Sequence, residues 1–181
     1  MLVSIMGAEK IRCFVKAQAP VNIAIIKYWG KSFEELKIPL NDSLSATLST
    51  DDMCTTTSVY LSEDFESDEL ILNGQKQDLT NGKSPANFML QDIRALTQLQ
   101  GYLTAKVRII SDNNFPTAAG LASSASGYAC LAYALGNIYG IQDPVLLSKI
   151  ARKGSGSACR SLFGGFVHWT CGNSHDGSVA S

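Results

Sequence analysis

Residues 116–127 read Pro-Thr-Ala-Ala-Gly-Leu-Ala-Ser-Ser-Ala-Ser-Gly, and no other stretch constrains the fold and chemistry of this chain as closely. Small residues let a backbone approach a bulky anion. The adjacent hydroxyls of Ser123 and Ser124 open a run that reads as a helix from about Ser124 to Tyr139, with Tyr128, Leu131, Leu135 and Ile138 as its packed stripe. Free N–H groups and the positive end of the macrodipole make such a helix start an anion site. The segment therefore reads as a phosphate cradle leading into a buried helix. It is not a Walker A loop, because the Gly-Lys-Ser/Thr ending is absent. A tight loop before a core helix is the alternative, since Gly and Ser are common turn residues.

The flanking sequence alternates enough to supply a sheet. Residues 12–19 and 21–29 read as strands broken at Pro20, and 31–42 as a polar loop. Residues 43–48, 55–61, 69–72 and 105–110 read as further strands, with Asn73-Gly74 as a hairpin turn. A helix is expected from about Ser84, with Pro85 in its first turn, and Gly101 ends it. Phe88, Met89, Ile93, Leu96 and Leu99 mark its apolar face. Asp143-Pro144 caps a short helix running to Arg152, and 165–170 closes the chain as a strand. Strands followed by helices make an α+β domain rather than a doubly wound sheet. The 181 residues suffice for one domain with a substantial core.

Composition narrows the class of function. A net charge of −1 gives no electrostatic basis for binding nucleic acid or an anionic membrane. No run of about 18 apolar residues occurs, so no membrane span is expected, and the first 14 residues lack a signal-peptide apolar region. Five cysteines show no Cys-x-x-Cys spacing, and with only His168 and His175 beside them no structural zinc site is expected. Reduced thiols in the cytosol are the expectation.

Three further groups could carry chemistry. Lys27, Tyr28 and Lys31 follow a strand; if that strand persists, Lys27 and Lys31 share a face, and two ammonium groups with a phenol suit a diphosphate. A solvated strand end fits the spacing equally well. Gly154-Ser155-Gly156-Ser157-Ala158-Cys159-Arg160 looks like a capped helix start with a guanidinium one turn inside, the natural fork for a carboxylate; the alternative is a surface arginine. Asn22, polar within an apolar strand, reads as a structural hydrogen-bonding residue. Asp42 reads as a loop residue and not a base, His168 as packing or surface, Trp29 as a wall, and Arg152 and Lys153 as solvated helix-end charges. Cys159 has no base beside it that would make it a nucleophile.

The pattern Pro-x-x-x-Gly-Leu-x-Ser-Ser-Ala at 116–125 resembles the phosphate loop of the GHMP family. Residues 19–31 (Ala-Pro-Val-Asn-Ile-Ala-Ile-Ile-Lys-Tyr-Trp-Gly-Lys) and 151–165 (Ala-Arg-Lys-Gly-Ser-Gly-Ser-Ala-Cys-Arg-Ser-Leu-Phe-Gly-Gly) resemble the substrate segments of its diphosphomevalonate decarboxylase branch. Residues 41–50 are similar too, with Asp42 where the family usually has Ser. The likeness runs from Ala17 to Thr170. It implies a GHMP-kinase N-terminal domain, of ribosomal protein S5 domain 2-like fold, over 1–181.

The same resemblance implies ATP with Mg2+ and mevalonate 5-diphosphate as ligands, decarboxylated to isopentenyl diphosphate in the cytoplasmic mevalonate/isoprenoid pathway. Pro116, Ala119, Gly120, Leu121, Ala122, Ser123 and Ser124 would wrap the ATP phosphates. Tyr28, Trp29, Gly30 and Lys31 would hold the diphosphate, with Lys83 as a further basic contact. Lys27 would sit near the reacting hydroxyl. Ser155, Gly156, Ser157, Ala158, Cys159 and Arg160 would contact substrate, Arg160 holding the carboxylate that leaves. A homodimer is implied for the full-length form. The family's catalytic aspartate lies in an Asp-Ala-Gly-Pro-Asn-like segment that does not occur here, so this chain is expected to be truncated and inactive alone. Another GHMP small-molecule kinase, such as phosphomevalonate kinase, and a non-catalytic ligand-binding fragment are the alternatives.

Overall fold

The computed structural model describes residues 10–33, 36–79, 84–116, 123–172 and 179–181. Among the described residues ten strands and three α-helices make the expected α+β arrangement. The strands are β1 (Cys13–Pro20), β2 (Asn22–Ile26), β3 (Lys31–Phe33), β4 (Ile38–Pro39), β5 (Ser43–Thr47), β6 (Cys54–Ser62), β7 (Glu69–Leu72), β8 (Gln75–Gln77), β9 (Lys106–Asn113) and β10 (Phe166–Trp169). The helices are α1 (Pro85–Leu96), α2 (Ser123–Ile138) and α3 (Pro144–Gly154), followed by a 3₁₀ helix over Gly156–Leu162.

A five-stranded sheet, ordered β1-β6-β9-β7-β8, backs the helices; its pairs are antiparallel except β7 with β9. Its inner face follows from alternation: Val59 and Leu61 on β6, and Val107 and Ile109 on β9, all point into the core. α2 packs on β1, and Ala17 and Ala19 of the strand share the core with Ala129 and Ala132 of the helix, small side chains that suit a close helix–sheet approach. α2 is buried along most of its length, wedged between that sheet, α3 and the 3₁₀ helix. A three-stranded sheet, β10-β5-β2, lies on the other side of the 3₁₀ helix. The chain passes from one sheet to the other at buried Val21, just after the proline that ends β1.

Local signals are realised closely. Asn73 (φ 47) and Gly74 (φ 76) form the turn between β7 and β8, both in the left-handed region that a tight hairpin requires. Asp143 caps α3, its carboxylate accepting from Val145 N and Leu146 N. Four expectations are corrected. Residues 31–42 are not only loop, since Lys31 pairs with Pro39 and Phe33 with Ile38 as a short hairpin. β2 stops at Ile26, so strand parity does not carry as far as Lys27 and Lys31. α1 ends at Leu96 and buries Ala86, Met89, Leu90 and Ile93, while Phe88, Leu96 and Leu99 face outward. Arg152 is not a solvated end charge: it is 2% exposed, and Lys153 is ion-paired with Asp92 at 2.7 Å.

Candidate active site

Two segments widely separated in sequence meet at the start of α2. Ser124 Oγ lies 3.2 Å from Ser155 Oγ, and Ser155 Oγ lies 3.4 Å from Ser157 Oγ. Ser155 ends α3 in an extended conformation (φ −145, ψ 130) and begins the 3₁₀ helix. Three residues per turn make positions i and i+3 eclipse, so Ser157 and Arg160 share one side of that helix. The expected capped helix start is thus a 3₁₀ turn, with Ser155 at its N-cap position and no side-chain cap bond.

Arg160 is buried to 2% exposure. Its Nε and Nη2 donate to Asn22 Oδ1 at 3.2 and 3.1 Å, and its Nη1 donates to Ser43 Oγ at 2.6 Å. Asn22 in turn donates from Nδ2 to Ser157 O at 3.0 Å and Ser161 Oγ at 2.8 Å. The guanidinium is flanked by the rings of Tyr28 (5.9 Å) and Trp169 (5.6 Å). Every acceptor it has is neutral, and no carboxylate pairs with it among the described residues. Burial pushes its pKa below the usual arginine value. A buried cation without an anion carries a desolvation penalty that a bound carboxylate would offset.

The network continues to the loop after β2. Ser43 Oγ donates to Ile26 O at 2.6 Å, one residue before Lys27. Lys27, Trp29, Gly30 and Lys31 are exposed, Trp29 at 71%, while Tyr28 is half-buried with its ring edge-on to Trp169 (centroids 4.7 Å, 66°). Gly30 turns the chain with φ 63 into β3. Lys37 Nζ donates to Gly154 O at 2.6 Å and so ties the β3–β4 hairpin to the end of α3. Tyr28, Arg160, Ser155 and Ser124 are therefore brought together. Ala158 and Cys159 are buried, and the Cys159 thiol is held neutral, its pKa pushed up to about 12 by burial; neither side chain reaches the surface. Lys83 and residues 117–122, which include Ala119, Gly120, Leu121 and Ala122, lie outside the described residues; Pro116 is exposed at the near edge of that segment.

A cavity of about 400 Å³ opens beside Ser123 and Ser124. Leu70, Leu72 and Leu131 give it an apolar wall; Asn73, Gln77, Ser111 and Asn113 supply polar groups. The size and the lining suit a small organic ligand. Beneath it, Thr55 Oγ1 donates to Asn113 Oδ1 at 2.6 Å and lies 2.7 Å from Ser126 Oγ, while Thr57 Oγ1 and Ser111 Oγ are 2.9 Å apart. Among the described residues no group of three His, Cys, Asp or Glu side chains could hold a metal ion.

Asp42 is exposed and lies just before β5, in a loop as expected, and there it fastens two neighbouring segments. Its Oδ2 lies 2.9 Å from His168 Nε2 and its Oδ1 accepts from Cys171 N at 2.8 Å. The bond from the Cys171 backbone is the largest cause of its lowered pKa. Sequence reasoning missed Ser43, Asn41 and Lys37. Ser43 and Asn41 stand in the quoted 41–50 segment, and alternation of small polar residues on β5 was the signal that one face of that strand is not a plain core face.

The family model of the diphosphomevalonate decarboxylase-like N-terminal domain matches residues 19–180. The human diphosphomevalonate decarboxylase is 50% identical over 182 residues, covering 95% of this chain and 44% of its own length. A solved mevalonate diphosphate decarboxylase from Trypanosoma brucei superposes with a TM-score of 0.83 at 48% identity, over 93% of this chain and 45% of that one. A solved structure named as MDDEF in complex with MVAPP, AMPPCP and magnesium matches at 44% identity with a TM-score of 0.77, over 93% of this chain and 50% of that one. The chain thus spans about half the length of the relatives it matches. Among the described residues no helix is long and apolar enough to cross a membrane.

Proposed function

The chain belongs to the diphosphomevalonate decarboxylase-like N-terminal domain family, and on that premise we propose that it supplies the substrate- and nucleotide-binding half of an ATP-dependent decarboxylation of mevalonate 5-diphosphate. The observation that carries this reading is Arg160: a buried guanidinium held by neutral Asn22 and Ser43, linked through Asn22 to Ser157. A substrate carboxylate would complete its pairing through a fork that lysine cannot reproduce. Tyr28, Trp29, Gly30, Lys31 and Lys83 would hold the diphosphate, with Lys27, Ser155 and Ser157 beside the reacting end and Gly156, Ala158 and Cys159 contributing backbone only.

Pro116, Ala119, Gly120, Leu121, Ala122, Ser123 and Ser124 would wrap the nucleotide phosphates, and the 400 Å³ cavity beside Ser123 has the size and mixed lining for the rest of the nucleotide. The hydroxyls and backbone N–H groups at the start of α2 fit phosphate oxygens. Magnesium, when bound with the nucleotide, would neutralise phosphate charge. The protein's own work is then positioning and electrostatics. A tertiary alcohol leaves poorly until its oxygen is phosphorylated, so the hydroxyl must lie in line with the γ-phosphoryl group. Lys27 would offset charge on the transferred group. Arg160 would hold the carboxylate whose electrons collapse toward the carbocation-like centre as carbon dioxide departs. Asp42 is engaged by His168 and Cys171, which supports leaving it out of proton transfer. Cytoplasmic location and dimerisation of the full-length form belong to the same proposal.

Separate titrations of the chain with magnesium ATP and with mevalonate 5-diphosphate test it. Ser124→Ala should weaken the first and Arg160→Ala the second. Both variants binding both ligands as wild type does would overturn the assignment.

A further inference from the structure

The loop between β2 and β3 carries Lys27, Tyr28, Trp29 and Lys31, and its backbone is fastened from one direction. Asn41 Oδ1 accepts from Trp29 N at 2.8 Å, while Asn41 Nδ2 donates to Lys27 O at 3.2 Å and Asp42 O at 2.7 Å. One amide side chain thus closes the Lys27–Trp29 turn from both of its ends. Ser43 adds a third hold at Ile26 O. Leu40 packs so closely under Gly30 that a Cβ there would lie 2.5 Å from its Cδ1, and Lys31 pairs with Pro39 in the hairpin. The backbone from 26 to 31 is therefore held by residues 39–43, while Lys27, Trp29 and Lys31 are exposed.

A loop that binds an anion with exposed side chains gains affinity when its backbone is ordered beforehand, because the ordering cost is not met on binding. We infer that Asn41 is a positioning residue: its side-chain amide fixes the Lys27–Trp29 turn in the conformation that presents this loop to a diphosphate. This rests on the diphosphate reading of the loop given above. The hydrogen bonds of the Asn41 side chain go to backbone groups, so its effect is through that turn and not through contact with the ligand. The same bonds would be made by a residue that merely ties down a loop, and the two roles differ in whether ligand affinity depends on them.

The experiment uses the 15N-labelled chain of residues 1–181, with inorganic pyrophosphate as the probe. Amide exchange is measured first. The Trp29 amide should be protected in the wild type, lose about tenfold or more of that protection in Asn41→Ala, and recover only part of it in Asn41→Asp, which keeps the acceptor for Trp29 N but loses the donor to Lys27 O and Asp42 O. Amides of β6 should be unchanged in both variants. Pyrophosphate is then titrated while the Trp29 and Lys31 amide signals are followed, and its Kd should rise about tenfold in Asn41→Ala. An unprotected Trp29 amide in the wild type overturns the inference even if Asn41→Ala fails to fold. Lost protection with unchanged pyrophosphate affinity overturns it as well, leaving Asn41 a loop fastener. A wild-type chain whose loop signals do not respond to pyrophosphate at any concentration refutes instead the diphosphate reading, and with it the ligand half of the inference.

Discussion

Gly156→Ala offers a test of how tightly Tyr28 is set against the 3₁₀ helix. A Cβ at position 156 would lie 2.6 Å from Tyr28 Oη, 3.1 Å from its Cζ and 3.4 Å from Trp169. Ordinary contact begins near 3.4 Å, so the phenol must retreat by roughly 0.8 Å. It cannot retreat toward Trp169, which is fully buried and already meets the Tyr28 ring edge-on at 4.7 Å. The ring must therefore swing outward and lose part of that contact. Overpacking costs about 1–3 kcal/mol, and the half-buried, movable tyrosine puts Gly156→Ala at the low end, about 1 kcal/mol. Tyr28→Phe removes the oxygen and leaves the 3.1 Å contact, an overlap of roughly 0.3 Å. In the Tyr28→Phe background, Gly156→Ala should then cost about half as much or less. Urea unfolding of the wild type, both single variants and the double variant measures this coupling, with unchanged m-values as the check on two-state behaviour. Additivity of the two substitutions within about 0.3 kcal/mol, or a Gly156→Ala protein as stable as wild type, would refute the packing argument.

Arg160→Lys should destabilise the chain by about 1–3 kcal/mol, because a single nitrogen replaces the three that now bond Asn22 Oδ1 and Ser43 Oγ and loses part of that buried bonding. It should also weaken mevalonate 5-diphosphate nearly as much as Arg160→Ala does; wild-type stability and affinity in Arg160→Lys would contradict both. Burial holds the Cys159 and Cys130 thiols neutral in the fold, with pKa values pushed up to about 12 and about 11. An exposed thiol ionises near pH 8.5, so the stability these groups contribute is complete below that and is lost as pH rises through about 11 to 12. The fall should approach about 1.4 kcal/mol per pH unit for each thiol. Denaturant unfolding between pH 8 and 11 should show a shallower fall in Cys130→Ala, and an identical slope would refute the assignment.

Much of the site was legible because its pieces are local. The start of α2, the Asp143 cap and the Asn73-Gly74 turn depend on residues within four positions of one another, so helix and turn chemistry specify them directly. The family likeness of residues 19–31, 41–50 and 151–165 located the segments that meet around Arg160, and Asn22 was rightly read as a structural hydrogen-bonding residue. The loop between β2 and β3 was less legible. A strand through Lys31 fits the apolar run, yet Gly30 at φ 63 and the hold of Asn41 on Trp29 turn the chain instead.

Charge burial was the other quantity that local sequence could not supply. Arg152 and Lys153 share the last turn of α3 and read alike, yet one is buried and the other reaches Asp92 on α1. Arg160, a surface arginine by spacing alone, is enclosed because β2 and β5 bring Asn22 and Ser43 to it across 138 and 117 positions of chain. Sequence alone determined the α+β class and the α-helix starts, which follow from periodicity and near-neighbour hydrogen bonding, while the family resemblance, not periodicity, pointed to the segments proposed to carry the chemistry. Tertiary structure alone decided which cations are desolvated, which backbone turns are fastened, and that Ser124 and Ser155 touch, because those depend on where separate segments come to rest against one core.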